Sequence, residues 1–138
     1  MRTERALVDT GPLIAILRES DSKHEECSEA LRKLRRPAPT CWPVLTEAVW
    51  ILRKEPKAIR ELLRFFDAGV FHLLTIEPHA TSWFSSFFDR FSEREPQLAD
   101  AALVYLAERE GIETVLTLDR RDFAVYRTSN NRALKVLP

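Results

Sequence analysis

The chain contains few residues of the kinds that build several common sites. Three glycines in 138 residues leave no glycine-rich phosphate loop. Cys27 and Cys41 are the two cysteines; they lack metal-ligand spacing, and we expect two free thiols in a reducing compartment. The three histidines are scattered, which gives no support for zinc, and no Ser–His or Cys–His motif supports nucleophilic catalysis.

An excess of charge and a long apolar run are also missing. Lys+Arg and Asp+Glu both number 21, which leaves nucleic acid open as a partner because the distribution of charge matters more than its total. No apolar stretch could span a bilayer, and the first residues show no signal-peptide pattern. We therefore expect no membrane partner, a cytoplasmic location, and a single domain over residues 1–138 with a sizeable core.

Short apolar runs alternate with amphipathic stretches along the chain. Strands are predicted at 6–8, 38–42, 70–76, 115–118 and 133–137. Helices are predicted after Pro12, over 22–35, after Pro43, Pro56 and Pro78, and over 97–110, the last apolar on most sides. In the helix after Pro43, we expect Val44, Ala48, Ile51 and Leu52 to face inward. This order predicts a three-layer α/β fold with a mostly parallel central sheet. Ligands in such folds bind outside the carboxyl ends of the strands.

Four carboxylates end or interrupt apolar runs: Asp9, Glu47, Asp100 and Asp119. Each has an ordinary explanation, such as helix capping for Asp9 or a dipole-favoured helix start for Glu47. Together they favour a cation site, because a buried carboxylate is costly unless it is paired or binds metal. All-oxygen ligands suit Mg²⁺ or Mn²⁺, and such ions activate water and neutralise a phosphodiester's developing charge.

Basic residues flank these positions in the sequence. They include Arg53 and Lys54 after the third predicted helix, and Arg120 and Arg121 directly after Asp119. Each cluster alone is an ordinary solvated surface, but together they predict a rim that holds a phosphate backbone.

Four segments of the chain resemble the acidic motifs of PIN domains, most closely those of VapC-type ribonuclease toxins. The segments are 7–13, 45–48, 98–103 and 117–123. The resemblance implies a five-stranded sheet with helices on both faces and a Mg²⁺- or Mn²⁺-dependent endoribonuclease. Asp9, Asp100 and Asp119 would contact metal, and Glu47 would bind metal or orient the attacking water.

The same resemblance implies supporting residues and partners. Thr10 and Thr117 would support the pocket by hydrogen bonding, and Asp122 would be an auxiliary acid. Gln97 stands where relatives often carry a further Asp, which weakens a second metal position. The implied partners are RNA, a VapB-type antitoxin that docks near Leu13, Leu17 and helices 43–66, and a second copy in a homodimer. The aromatic stretch 83–91 would belong to the core or to the dimer interface.

Three other functions compete with a ribonuclease toxin. A PIN nuclease of RNA processing would work without an antitoxin, and a non-catalytic RNA-binding module would keep the fold alone. A phosphoacceptor receiver domain also places acids at strand ends. It requires an adjacent acidic pair after the first strand, whereas Thr10 follows Asp9 here.

Overall fold

The computed structural model describes residues 4–138, which form five short strands and seven α-helices. The strands are β1 (Leu7–Val8), β2 (Ala38–Thr40), β3 (Phe71–Leu73), β4 (Thr114–Leu116) and β5 (Lys135–Leu137). The helices are α1 (Thr10–Leu17), α2 (His24–Arg32), α3 (Trp42–Ile51), α4 (Pro56–Asp67), α5 (Thr81–Arg90), α6 (Leu98–Glu110) and α7 (Arg120–Phe123).

Every strand pairing within residues 4–138 is parallel. β4 lies between β1 and β5, with Val8 opposite Leu116, and β2 pairs with β3. The β1–β4–β5 group and the β2–β3 pair adjoin where the Thr40 hydroxyl donates a hydrogen bond of 2.7 Å to the Val8 carbonyl oxygen. The predicted α/β fold with about five parallel strands is confirmed. The strands form two sheets, one of three strands and one of two, which meet between β1 and β2.

α6 is the central helix of the fold, as its sequence predicts. Ala101, Ala102, Leu103 and Leu106 are fully buried, and the helix packs against α3 and α5. A helix that is apolar on nearly all sides belongs inside a protein, and alanines on it let neighbouring helices approach closely. Asp100 lies in the first turn of this helix, so the core's main element also carries a candidate site residue.

Some predicted boundaries are wrong at α3 and β3. Trp42 was expected to end a strand but begins α3, because Pro43 suits the first helical turn, where its missing N–H is not needed. β3 ends at Leu73 rather than at residue 76. Ile51 was expected to face inward on α3, but it is 39% exposed because the helix ends there, beside the acidic cavity described below.

The aromatic stretch 83–91 packs against the core. Phe87 and Phe91 are buried, and Trp83, Phe84 and Phe88 are half-buried against them. Leu13 is 1% exposed and belongs to the core, and the docking place of an antitoxin stays a prediction. Both cysteines are free and buried. No helix among residues 4–138 is long and apolar enough to cross a membrane.

Candidate active site

A cavity of about 530 Å³ opens where β1 and β4 end. The strands are parallel, so Asp9 after β1 and Asp119 after β4 arrive at the same edge. The cavity is lined by Asp9, Thr10, Gly11, Glu47, Ile51, Glu95, Gln97, Asp100, Leu118, Asp119 and Asp122. All four predicted carboxylates and the predicted auxiliary acid therefore face one space.

Asp9 is the most buried of these acids, at 7% exposure. Its backbone N–H donates to the Leu116 carbonyl oxygen at 2.9 Å, which ties it to β4. Oδ1 accepts from the Thr10 N–H and Oδ2 from the Thr117 hydroxyl, both at 2.7 Å. Burial raises the pKa of Asp9 to about 6 against these hydrogen bonds, and the charges of Asp100 and Glu47 add to the rise. Asp9 also caps α1, so one side chain both caps this helix and lines the cavity.

Asp100 reaches the cavity from the first turn of α6. Its Oδ2 accepts two hydrogen bonds of 3.2 Å, from the Gln97 backbone N–H and from the Tyr126 hydroxyl. Burial raises the pKa of Asp100, and the charges of Asp119 and Glu47 contribute to the rise. The carboxylates of three separate elements thus act on one another electrostatically.

Asp119 and Asp122 form the third side of the cavity. Asp119 caps α7: its Oδ1 accepts from the Asp122 N–H at 3.3 Å. Its own N–H donates to Thr117 Oγ1 at 3.0 Å. The pKa of Asp119 is raised, first by burial and then by the Asp122 side chain. Asp122 pairs with Arg94 at 3.2 Å, which places one cation at the margin of this acidic group.

Two residues at the site were not predicted from the sequence. Glu95 lines the cavity from a turn with φ of 51°, and the only sequence signal was its position next to Pro96. Tyr126 contacts Asp100 from the interior, and nothing in its local sequence indicates that contact. Both depend on how distant segments pack.

The donor set is suited in kind to a hard cation. The cavity's charged residues are all acids, and no lysine or arginine of residues 4–138 lines it. Among residues 4–138, no group of three or more Asp, Glu, His or Cys side chains is arranged so that it could hold a metal ion. Mg²⁺ in proteins usually keeps several of its waters and is bound directly by only one or two carboxylates. Binding of a metal by Asp9, Asp100 and Asp119 stays a prediction.

The predicted RNA-binding residues lie outside the cavity lining. The Arg53 guanidinium lies 4.0 Å from the Trp50 ring centroid and donates to the Trp50 carbonyl oxygen. Arg120 donates to the Pro138 carbonyl oxygen, and Lys54 and Arg121 are exposed. Their contact with RNA stays a prediction.

The fold and cavity define an α/β domain with a carboxylate cluster at the carboxyl edge of a parallel sheet. The family model of the PIN domain matches residues 6–128, and the chain belongs to the PIN domain family.

Two relatives from Mycobacterium tuberculosis (strain H37Rv for the first) match nearly the whole chain. Ribonuclease VapC26 is 25% identical over 134 residues, covering 96% of this chain and 99% of the relative. The crystal structure of VapC20, described as a toxin that cleaves the sarcin–ricin loop, has a TM-score of 0.80 at 18% identity. The structural match covers 96% of this chain and 99% of the VapC20 chain, which shows a shared fold.

Proposed function

We propose that this chain is a Mg²⁺- or Mn²⁺-dependent endoribonuclease that hydrolyses RNA phosphodiester bonds. The observation that carries the proposal is the cavity at the ends of β1 and β4, where six acids and no basic residue of the described chain line one space. A resting cluster of this kind repels itself, and a divalent cation relieves that repulsion. The name ribonuclease of the relative that matches along 96% of this chain supports RNA as the substrate.

Each predicted site residue has a role in this proposal. Asp9, Asp100 and Asp119 hold the cation, and Glu47 binds it or orients the attacking water. Thr117 fixes the orientation of the Asp9 carboxylate through its hydrogen bond, while Thr10 does so through its backbone N–H. Asp122 assists through Asp119, whose carboxylate accepts from its N–H.

A bound divalent cation would supply a water of lowered pKa and neutralise the charge that develops on the phosphate. The protein's contribution is to desolvate Asp9 and to hold the carboxylates in fixed directions. Arg53, Lys54, Arg120 and Arg121 bind the RNA backbone outside the cavity. Separating cations from the carboxylates in this way leaves the cavity free for a metal.

We further propose that the nuclease is the toxin of a VapBC-type pair in the cytoplasm, restrained by a VapB-type antitoxin. The names of the two relatives, VapC26 and VapC20, support a VapC-type role for this chain. An antitoxin cation entering the acidic cavity would compete with the metal there, which is a direct electrostatic route to inhibition.

A homodimer is part of the same proposal, and an exposed apolar surface supports it. Trp42 is 61% exposed, Trp50 65% and Leu98 50%, and all three line one groove between α3 and the start of α6. We call these three residues the tryptophan face. Exposed aromatic and aliphatic groups with few charges are typical of protein interfaces. The groove shares Glu47 and Gln97 with the acidic cavity, so a second copy would border both active sites.

The decisive experiment is cleavage of structured RNA by purified protein with Mg²⁺, with Mn²⁺ and with EDTA, beside Asp100→Asn. We expect metal-dependent cutting that the substitution reduces at least a hundredfold. Asp89→Asn is the matched control, because Asp89 is exposed on α5 and should cut normally. Full activity of folded Asp100→Asn would refute the proposed mechanism.

The competing functions give different results in the same assays. A non-catalytic RNA-binding module would bind RNA without cutting it under any metal condition. A nuclease of RNA processing would cut RNA, but its expression would not arrest growth. Growth arrest that depends on Asp100, and that a small gene next to this one relieves, would identify a toxin.

A further inference from the structure

Tyr126 contacts the acidic cluster from inside the protein rather than from the cavity. Its side chain is fully buried, and its hydroxyl donates to Asp100 Oδ2 at 3.2 Å. The two residues are 26 positions apart in the sequence. None of the proposed roles above uses this tyrosine.

Three phenylalanine rings surround the Tyr126 ring. Its centroid lies 5.2 Å from that of Phe87, 5.4 Å from that of Phe91 and 5.2 Å from that of Phe123. Phe123 belongs to α7, which Asp119 caps, and Phe87 belongs to α5. A ring enclosed in this way cannot turn its hydroxyl elsewhere without opening the core, because protein interiors are close-packed.

The hydrogen bonds that Asp100 receives from described residues all fall on one oxygen. Oδ2 accepts from the Gln97 N–H and from the Tyr126 hydroxyl. Two donors from different directions fix the plane of the carboxylate. Within residues 4–138 no hydrogen bond to Oδ1 is found, and Asp100 lines the cavity.

We propose that Tyr126 is a positioning residue that orients the Asp100 carboxylate so that Oδ1 receives the divalent cation. The inference rests on the proposed metal site, and it assigns a new residue to that site. Groups that hydrogen-bond a metal ligand set its orientation, and their loss costs about 10–100-fold in metal affinity or activity.

A purely structural role for Tyr126 makes a different prediction. A buried phenol needs a hydrogen-bond partner, and Asp100 would then merely satisfy it. Removing the hydroxyl would then leave metal binding as it was, whatever its effect on the stability of the fold. Metal affinity therefore separates the two roles, whereas stability does not.

The test is the dissociation constant for Mn²⁺, measured by calorimetry on the metal-free protein. Tyr126→Phe keeps the ring and its packing and removes only the hydroxyl. We expect the Mn²⁺ dissociation constant to rise about tenfold, with little change in melting temperature. In an Asp100→Asn background, the same substitution should have no further effect on Mn²⁺ binding, because the tyrosine acts through that carboxylate.

Tyr105→Phe is the matched control, since the chain contains two tyrosines. The Tyr105 hydroxyl also donates to a carboxylate, that of Glu77, but neither residue lines the acidic cavity. Its loss should leave the Mn²⁺ dissociation constant unchanged.

An unchanged Mn²⁺ dissociation constant in Tyr126→Phe would overturn the inference. So would an equal loss of Mn²⁺ affinity when Tyr126→Phe is added to Asp100→Asn. The readout also keeps this inference apart from the nuclease proposal. A wild type that binds Mn²⁺ but cuts no RNA would count against the nuclease alone, whereas a wild type that binds no Mn²⁺ would overturn both.

Discussion

The Thr117 hydroxyl lies 2.7 Å from Asp9 Oδ2. It donates to that carboxylate and at the same time accepts from the Asp119 N–H at 3.0 Å. One buried hydroxyl thus joins the residues that follow β1 and β4. The relationship ties the Asp9 carboxylate to the backbone of Asp119 before any metal arrives.

Thr117→Val should weaken metal binding and RNA cleavage by about 10–100-fold, because the Asp9 carboxylate loses the donor that orients it. The free energy of unfolding should fall by about 1–3 kcal/mol, since the Asp119 N–H also loses its acceptor. Thr117→Ser keeps the hydroxyl and should retain cleavage. Initial cleavage rates and urea unfolding of both variants check this expectation.

Thr40→Val is the matched control for Thr117. Thr40 is also buried, and its hydroxyl donates to the Val8 carbonyl oxygen rather than to a carboxylate. Its loss should reduce stability by a similar amount and spare Mn²⁺ affinity. Equal losses of metal affinity in the two variants would show that stability, not orientation, is responsible.

The stability of the metal-free protein should depend on pH through Asp9. Its pKa is about 6 in the folded chain against an ordinary 3.8, so the folded state binds the proton more tightly than the unfolded state does. The contribution of Asp9 is therefore fully present below about pH 4 and is lost as pH rises through about 6. A difference of about two pKa units limits the loss to about 3 kcal/mol.

Asp9→Asn removes this titration and provides the comparison. In EDTA, the variant should gain stability over the wild type between about pH 4 and pH 7, by up to about 3 kcal/mol. Added Mg²⁺ should stabilise the wild type at pH 7 and leave the variant nearly unaffected. Parallel pH curves for the two proteins would contradict the raised pKa.

Arg53→Ala should weaken RNA binding about threefold to tenfold and lower the salt dependence of binding by about one unit of slope. The Mn²⁺ dissociation constant should not change, because Arg53 lies outside the cavity lining. Arg35→Ala is the control: Arg35 lies beside Glu4 and Thr114, near the amino ends of β1 and β4. Fluorescence anisotropy with RNA, in an inactive Asp100→Asn background, would measure the RNA affinity and its salt dependence. Equal weakening of RNA binding by Arg53→Ala and Arg35→Ala would indicate a general effect of positive charge.

Leu98→Glu should convert the proposed dimer to a monomer, because it places a charge in the tryptophan face. Leu63→Glu is the control, since Leu63 is similarly exposed, at 45%, but belongs to α4. Sedimentation equilibrium gives the mass of each variant. A dimer that survives Leu98→Glu would place the interface elsewhere.

The positions of Asp9 and Asp119 could be predicted from the sequence because strand order dictates them. Once β1 and β4 are recognised as parallel strands, the residues after them must share an edge. Asp100 could be predicted because an acid within an apolar helix is conspicuous. These three inferences need only local patterns and one rule of topology.

Glu95 and Tyr126 could not be predicted because no local pattern encodes their placement. Glu95 enters the cavity through a left-handed backbone conformation that nonglycine residues adopt uncommonly. Tyr126 looks like any core aromatic, and its contact with Asp100 follows from the packing of α5, α6 and α7. The exposure of Ile51 was missed for the same reason, since helical spacing alone does not show where a cavity opens.

The pairing of β1 with β4 also governs when the carboxylate cavity can form in a growing chain. Leu7 and Val115 are neighbours in space although they lie far apart in the sequence. A partly synthesised chain that ends before Thr117 holds Asp9 without the hydroxyl that orients it and without Asp119. The carboxylate cavity can therefore form only after β4 and the residues that follow it have been added to the chain.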